Sequence, residues 1–398
     1  MVAGLLFARA GVRTVVLEKH ADFLRDFRGD TVHPSTLRIF HELGLLDQLL
    51  ARPHDKVPGI AAWVGDTKIQ VADFRGMDPR WAFIALMPQW EFLDFVAGQA
   101  RLYPNFSLHM CAEGLALVRE GGKVKGVTFD TPDGSAEIRS KLVIAADGRG
   151  SAIRAESGLK LREIGAPMDV FWFRLPKART AQNRSTGVFT SGRIMALIDR
   201  GDYWQCAYVF PKGQADAVRG RGLAAFRDEV ARVGARFALE VSGITVWDDV
   251  KLLTVALDRL EQWHRPGLLV IGDAAHAMSP IGGVGINVAV QDAVAAANAL
   301  AGPMAAGADV DPLLHKVRER RLLAVRATQS FQNMAQRRII TPLLASSGPV
   351  KPIWPLRMLQ HFPVLRRIPA WFLGFGLRAE HVRSPHRRPG QPDTHRAR

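Results

Sequence analysis

The sequence has few cysteines and no long uninterrupted apolar run. Cys111 and Cys206 are the only two cysteines in 398 residues, so neither a disulfide framework nor a cysteine zinc site is expected. This usage favours a reducing, cytoplasmic setting. The most apolar stretch is rich in alanine and is interrupted by Asn298, Gly302 and Pro303, which argues against a membrane-spanning helix.

A basic segment is also absent before the apolar opening MVAGLLFARAG, so we interpret this opening as part of the fold and not as a signal peptide. The net charge of +15 is unevenly distributed: residues 351–398 contain ten Lys or Arg against two Asp or Glu. No nucleic-acid-binding motif accompanies this basic region, and we predict no nucleic-acid partner.

Apolar periodicity indicates a mixed α/β protein. Residues 1–10 predict a helix, and RTVVLE predicts a buried strand that ends at Glu18. KLVIAADGRGSAIR predicts a second strand, a loop and the start of a helix. Between Asp169 and Phe210 the alternating aromatic segments VFWFRL, IMALID and YWQCAYVF predict an antiparallel sheet.

The segment GDAAHAMSPIGGVGIN, residues 272–287, joins a short apolar strand to an alanine-rich helix. A strand that ends at Asp273 and a helix that begins near Gly285 would direct helix amides and a positive dipole towards an anion or an electron-rich ring. The glycines allow close approach of the backbone to a ligand. Glycine-rich loops of this kind also occur in many α/β proteins, so the loop alone permits a purely structural role.

Two further acidic residues follow predicted strands. Glu18 occupies the position at which an acidic residue binds a ribose hydroxyl in dinucleotide folds. Asp147 and Gly148 follow another strand. Either carboxylate alone could be a plain surface group, whereas the three motifs in this order are specific.

Together, VVLEKH, ADGRGS and GDAAHAMSPIGGVGIN resemble the flavin-dependent aromatic hydroxylases, the class A flavoprotein monooxygenases of the para-hydroxybenzoate hydroxylase type, over roughly residues 1–300. The resemblance implies that Glu18 binds the adenosine ribose of FAD and that Asp273 binds its ribityl or pyrophosphate region. The cofactor-binding residues that it implies are Glu18, Lys19, Arg28, Gln89, Asp147, Asp273, Pro280, Gly282, Gly283, Gly285, Ile286 and Asn287.

The resemblance also implies roles for several of these residues. Pro280 and the glycines after it are expected against the isoalloxazine ring, with Asn287 near the pyrimidine edge of that ring. Asp147 matches an aspartate that serves both FAD and the nicotinamide donor. Arg28 matches an arginine near the flavin, and Gln89 matches a polar FAD contact.

The implied reaction is hydroxylation of an aromatic or other apolar small molecule, in which NAD(P)H reduces FAD, oxygen adds, and the flavin hydroperoxide transfers one oxygen atom. We assign no catalytic side chain and no metal ligand. His276 and His33 are expected to have structural hydrogen-bonding roles, because no second ligand stands at metal-binding spacing near His276. Five aromatics could line a substrate cavity or belong to the core: Trp172, Phe173, Tyr203, Trp204 and Tyr208.

The implied fold is α/β: an FAD-binding, Rossmann-like, three-layer domain with an inserted antiparallel-sheet substrate domain and a helical C-terminal region. We predict an FAD-binding domain over 1–165, with part of the substrate domain interleaved around 53–90. The substrate sheet covers 166–255, the FAD-binding domain returns over 256–330, a helical segment covers 331–383, and a disordered basic tail covers 384–398. The family's N-terminal strand and GxGxxG turn are missing, and we expect the natural protein to extend about thirty residues upstream.

Two alternatives stay open, namely an FAD-dependent reductase of isoprenoid-type lipids and a truncated, flavin-free, non-catalytic scaffold. The segment from Pro349 to Gly376 mixes arginines with aromatic residues such as Trp354 and Trp371. This mixture suits a membrane surface, so peripheral membrane contact is one interpretation. The other is that the segment covers the core while its arginines face solvent.

Overall fold

Helices and short strands alternate through the computed structural model, which describes residues 1–24, 30–177 and 185–387. The helices are α1 (Val2–Arg9), α2 (Pro34–Glu42), α3 (Leu46–Leu50), α4 (Gln89–Arg101), α5 (Ala152–Ser157), α6 (Ala215–Gly220), α7 (Leu223–Val233), α8 (Gly285–Ala305), α9 (Leu314–Ala335), α10 (Thr341–Leu344), α11 (Trp354–His361) and α12 (Arg367–Phe375). The strands are β1 (Thr14–Leu17), β2 (Thr31–Val32), β3 (Asp55–Val57), β4 (Gly59–Val64), β5 (Thr67–Asp73), β6 (Ile84–Leu86), β7 (Phe106–His109), β8 (Glu113–Glu120), β9 (Lys123–Thr131), β10 (Gly134–Arg139), β11 (Val143–Ala145), β12 (Leu161–Glu163), β13 (Met168–Pro176), β14 (Thr186–Thr190), β15 (Arg193–Asp199), β16 (Tyr203–Pro211), β17 (Lys251–Leu253), β18 (Asp258–Leu260), β19 (His264–Arg265) and β20 (Leu268–Val270). The sequence prediction of a mixed helix and sheet protein is confirmed.

The acidic motifs follow strands of two parallel pairs, in which β1 runs beside β7 and β11 runs beside β20. Helix α1 packs against both α4 and α8, and their shared core includes Leu5, Phe95 and Val294. The antiparallel meander β8–β10 lies next to β11 and α5. Strand β1, which precedes Glu18, packs on the helical core of α1, α4 and α8. Strands β11 and β20, which precede Asp147 and the 272–287 loop, pair with each other.

Helix α8 is rich in alanine, the residue with the highest helix propensity, and eight of the eleven residues in its first three turns are buried. Among the described residues, one helix, Ile281–Ala305, is long and apolar enough to cross a membrane. This helix contains Asn298, Gly302 and Pro303, the residues from which the sequence argued against a spanning helix, and it is still long and apolar enough. Most of its apolar stretch is buried inside the protein, as in the core helix of a globular domain.

In the part of the chain that the structure describes, the largest sheet has seven strands in the order β17-β13-β16-β15-β14-β4-β5. Within these strands β14 and β4 are parallel, and the other neighbouring pairs are antiparallel. Strands β4 and β5 come from residues 59–73, so an early part of the chain joins a sheet built mainly from residues after 167. One face of the sheet packs against α7, where the ring of Phe226 lies 5.5 Å from the rings of both Phe173 and Tyr208.

This packing decides the positions of the five aromatics named from the sequence. Phe173, Trp204 and Tyr208 are buried in the core beneath α7. Tyr203 is half-buried and lies under the guanidinium of Arg174. Trp172 and Tyr203 lie on the other face of the sheet, so they are the members of the set that stay available to line a cavity on that face.

Three consecutive segments of the C-terminal region pack on earlier parts of the chain. Helix α9 continues past the predicted boundary at residue 330 and merges into a π-helical turn, Gln336–Ile340. Helices α11 and α12 pack on β5. Beyond them, Arg9 donates to the carbonyl of Ser384 at 3.1 Å, and Asn298 accepts the N–H of Ser384 at 2.9 Å. The predicted disordered tail therefore does not begin at Ser384, and residues 388–398 lie outside the described part of the chain.

Candidate functional site

The loop between β20 and α8 is shaped by glycines in the left-handed region. The φ angles are +62° at Gly272, +80° at Gly282 and +62° at Gly283. A Cβ on Gly283 would lie 2.7 Å from Oγ1 of Thr31, which is closer than any real side chain would tolerate. Glycine is therefore required at this position both for the backbone conformation and for the contact with β2.

The amino end of α8 is open and faces the carboxylate of Asp273. No side chain among the described residues caps the helix, so its first amide groups keep their hydrogen-bonding capacity. A Cβ on Gly285 would have Asp273 Oδ1 as its nearest neighbour, at 3.9 Å, and the Asp273 side chain is 31% exposed. The Asp273 carboxylate, a hydrogen-bond acceptor, and the positive end of the α8 dipole therefore lie beside the same solvent-accessible space, next to Pro280 and Ile286.

Arg149 joins the second motif to the third. Its Nε donates to Asp273 Oδ2 at 3.2 Å, and its Nη2 donates to the carbonyl of Met278 at 3.4 Å. The Nη1 atom of Arg149 is buried and has no hydrogen-bond partner among the described residues. Asp147, two residues earlier, is exposed at the end of β11. The sequence prediction missed Arg149, although its place within DGRGS is the signal that could have found it.

These features fit FAD. The carboxylate of Asp273 suits the hydroxyls of a ribityl chain, and the uncapped end of α8 suits the electron-rich edge of the flavin ring. The unpartnered Nη1 of Arg149 suits an anionic group such as a pyrophosphate.

Asn287 uses its side chain entirely within the protein. Its Oδ1 accepts the N–H of His33 at 2.8 Å and the hydroxyl of Thr36 at 2.7 Å. Its Nδ2 donates to the carbonyls of Thr31, at 3.1 Å, and Gly283, at 3.4 Å. All four hydrogen-bonding positions of the amide are occupied, so this side chain holds β2 and α2 against the glycine loop.

His33 lies beneath this junction and is fully buried. Its Nδ1 lies 2.8 Å from the carbonyl of Leu373, an arrangement in which Nδ1 carries the proton. Burial lowers the pKa of His33 from 6.5 to about 4, and the nearby carbonyls of Leu373 and Gly283 oppose the shift. His33 is therefore neutral at physiological pH and has a structural role, in agreement with the sequence prediction.

Three buried glutamines on one side of α9 and its π-helical end hold the other side of the loop. Gln332 accepts the N–H of Ser279 at 3.1 Å and donates to two carbonyls of the loop at 2.8 and 3.0 Å. Gln336 donates to the Ser279 hydroxyl at 2.9 Å, and Gln329 donates to the carbonyl of Ala277 at 3.2 Å. We call these three residues the glutamine ladder. Their spacing of three and four residues within a helical pattern was a signal that sequence reasoning overlooked.

A buried charge network supports the turn at Gly272. Asp292, on the second turn of α8, accepts the Gly272 N–H at 3.1 Å and lies 2.6 Å from His276 Nε2 and 2.9 Å from Arg321 Nε. Burial would raise the pKa of Asp292, but His276 and Arg321 together hold it below its ordinary value. Arg321 also lies 3.6 Å from Glu380. His276 is thus part of the support for Asp273, the structural role expected from the sequence.

Other elements of the fold position the remaining predicted residues that the structure describes. Glu18 follows β1, accepts the N–H of His20 at 3.1 Å, and lies within electrostatic range of the amino end of α1. Lys19 is exposed and pairs with Glu113 at 3.6 Å. Gln89 is the first residue of α4, and its N–H donates to Asp30 at 3.3 Å. Arg28 lies outside the described residues.

The comparisons with known proteins agree with this geometry. The FAD binding domain family matches residues 1–331. The 6-methylpretetramide 4-monooxygenase of Streptomyces rimosus is 28% identical over 99% of this chain and 94% of its own length. The rifampicin monooxygenase of Streptomyces venezuelae is 28% identical over 74% of this chain and 60% of its own length.

Among solved structures, the p-nitrophenol 4-monooxygenase PnpA of Pseudomonas putida has the same fold, with a TM-score of 0.71, 21% identity and coverage of 92% of this chain and 91% of PnpA. The resemblance inferred from the three motifs is confirmed. The chain belongs to the FAD binding domain family and is an FAD-dependent monooxygenase that uses NAD(P)H as electron donor.

Proposed function

We propose that this monooxygenase hydroxylates a multi-ring aromatic substrate held between the large sheet and the glycine loop. In this arrangement the parallel strands with α1, α4 and α8 form a Rossmann-like, three-layer FAD-binding domain. The seven-stranded sheet forms the substrate domain, and α9 to α12 form the helical C-terminal region.

The observation that carries the proposal is a row of residues in register across four strands of the sheet. Trp172 pairs with Ala207, Ala207 with Ala196, and Ala196 with Gly187. Directly paired residues in antiparallel strands point to the same face. From Trp172 to Gly187 the row crosses three strand spacings, about 14 Å, which is longer than one aromatic ring, and the two alanines between them leave its middle flat. We call this row the strip.

Aromatic groups border both ends of this strip. Trp172 stands at one end, and its indole Nε1 is buried with no hydrogen-bond partner in the described parts of the chain. At the other end the ring of Phe189 lies over Gly187, where an added Cβ would be 2.9 Å from that ring. Flat aromatic rings stack well on such side chains, and the free indole N–H could donate to a substrate oxygen.

The strip adjoins the glycine loop on the same face of the sheet. Ile281 of the loop packs in one cluster with Ile194 and Val209, which also carries Phe189. A substrate lying on the strip would therefore border the loop that we assign to the flavin ring. This proximity is what a hydroxylation site requires, because the substrate carbon must lie beside the cofactor.

FAD, when bound, supplies the reduction of oxygen and its activation for transfer. The uncapped first turn of α8 stabilises negative charge at the flavin edge through its dipole and its free amides. Asp273 would accept hydrogen bonds from the ribityl hydroxyls of bound FAD, and the hydrogen bond from Arg149 holds its carboxylate in place. The apolar side chains on the sheet exclude water from the reacting atoms.

The test compares a phenol with three or four fused rings and p-nitrophenol as substrates of the FAD-loaded protein with NADH or NADPH. We expect a product that gains one oxygen atom with the multi-ring phenol and slower turnover of p-nitrophenol. Ala207→Leu should block the strip and cut multi-ring turnover about tenfold or more while FAD content is unchanged. The exposed Ala136→Leu on β10 serves as the matched control.

Two outcomes would overturn the proposal. Preference for the single-ring phenol with no effect of Ala207→Leu would remove the strip as the substrate site. Saturation of a prenyl lipid in place of oxygen transfer would favour the reductase alternative.

A further inference from the structure

The outer surface of residues 351–371 concentrates exposed apolar side chains. Six of the thirteen large apolar side chains that are exposed in the described residues lie within this short segment, which we call the C-terminal patch: Ile353, Trp354, Phe362, Val364, Ile368 and Trp371. Trp354 is 72% exposed and Val364 is 70% exposed. Globular surfaces seldom gather apolar groups this densely unless something binds there.

The patch is built on a fixed base. On the inner side of α12, Ala370, Gly374 and Phe375 are buried, and the ring of Phe372 lies 5.1 Å from that of Phe331 on α9. Both α11 and α12 also pack on β5. The inner side therefore covers the core, as one interpretation of the sequence expected, while the outer side keeps its apolar groups in solvent.

The segment that carries the patch has side-chain charges of one sign. Residues 351–379 contain five Lys or Arg and no Asp or Glu, and Lys351, Arg357 and Arg367 are exposed within the patch itself. The acidic group that faces it from β5 is Asp73, which is paired with Arg75 at 2.7 Å. Arg366 of the segment also interacts electrostatically with Asp73, and the five cations still outnumber this one acidic group, so the patch offers a surplus of positive charge next to aromatic and aliphatic side chains.

We propose that the C-terminal patch docks the protein on the surface of an anionic lipid membrane. Tryptophan is favoured at the boundary between headgroups and acyl chains, and adjacent arginines attract anionic headgroups. Self-association through this face would bring together two cationic surfaces, so charge complementarity favours a lipid surface over a second copy of the chain. This docking is independent of the proposed substrate.

The test is co-sedimentation of the FAD-loaded protein with vesicles of phosphatidylcholine alone or mixed with phosphatidylglycerol. We expect binding to the mixed vesicles, and weaker binding when salt screens the charges. The double variant Trp354→Ser/Trp371→Ser should lose about tenfold or more in vesicle affinity. Leu102→Ser/Val246→Ser removes exposed apolar groups elsewhere on the surface and should bind as the unaltered protein does.

The charge contribution has its own pair of variants. Arg357→Glu/Arg367→Glu should lose about tenfold or more in affinity for phosphatidylglycerol vesicles, whereas Arg13→Glu/Arg232→Glu, exposed outside the patch, should change it little. Circular dichroism and FAD content show that each variant is folded. The proposal is overturned if the unaltered protein does not sediment, if the control variants lose binding equally, or if the tryptophan variant instead dissolves a dimer in sedimentation velocity.

Discussion

Protonation of His33 should make the folded protein lose stability between pH 6.5 and pH 4. The side chain is fully buried and its pKa is lowered from 6.5 to about 4. In this window the unfolded chain binds a proton that the folded protein does not, so stability falls as the pH falls. The full effect is about 3 kcal/mol at the cited shift, of which about 2 kcal/mol is already lost at pH 5.

The assay is urea unfolding followed by tryptophan fluorescence between pH 5 and pH 8 at constant ionic strength. His33→Asn removes the titrating group, while its amide can still donate to the carbonyl of Leu373. The other histidines titrate in both proteins, so the difference between the two pH profiles isolates His33. Parallel profiles would refute the reasoning, because they would show that His33 titrates alike in both states.

Three further variants test the supports of the glycine loop. Gly283→Ala should lower the free energy of unfolding by about 1–3 kcal/mol more than Gly122→Ala does. Both glycines have positive φ, but only a Cβ at Gly283 would clash with a neighbour. Equal urea midpoints for the two variants would contradict the contact with Thr31. Gln332→Leu leaves three backbone groups unpaired and should lower the free energy of unfolding by about 2–4 kcal/mol. It should also weaken the affinity for FAD, measured by flavin fluorescence. Asn333→Leu on the same helix should leave both quantities unchanged. Asp292→Asn removes the carboxylate charge that pairs with the buried guanidinium of Arg321 and should lower the free energy of unfolding by about 3–5 kcal/mol; a thermal midpoint close to that of the unaltered protein would contradict this.

The sequence predicted local features better than long-range partners. Strand β1, helix α8 and the glycine loop followed from apolar periodicity and turn residues, which act over a few neighbouring positions. Three of the four partners of Asn287 were not predictable, because they lie more than 250 residues earlier in the chain. The flavin contact implied for Asn287 stays a prediction, and its side-chain amide is bound by residues of β2 and α2.

The same limit applies to the large sheet and to the C-terminus. Alternation along β16 separates two faces, but it does not say which face α7 will cover, so Trp204 and Tyr208 could not be assigned to the core in advance. The docking of Ser384 on α1 depends on a hydrogen bond across 375 residues, for which the local sequence gives no signal.

The glutamine ladder makes the conformation of the loop at residues 277–281 depend on the helical register of α9. A helix rises about 1.5 Å and turns about 100° per residue, so inserting or deleting one residue of α9 between Gln329 and Gln336 would rotate one end of the ladder away from the loop. Helix α9 can therefore vary in its exposed residues but not in its register. A chimaera that takes the loop of residues 277–281 from a related monooxygenase should also take α9 from that protein. The hydrogen bonds between the two segments then stay matched.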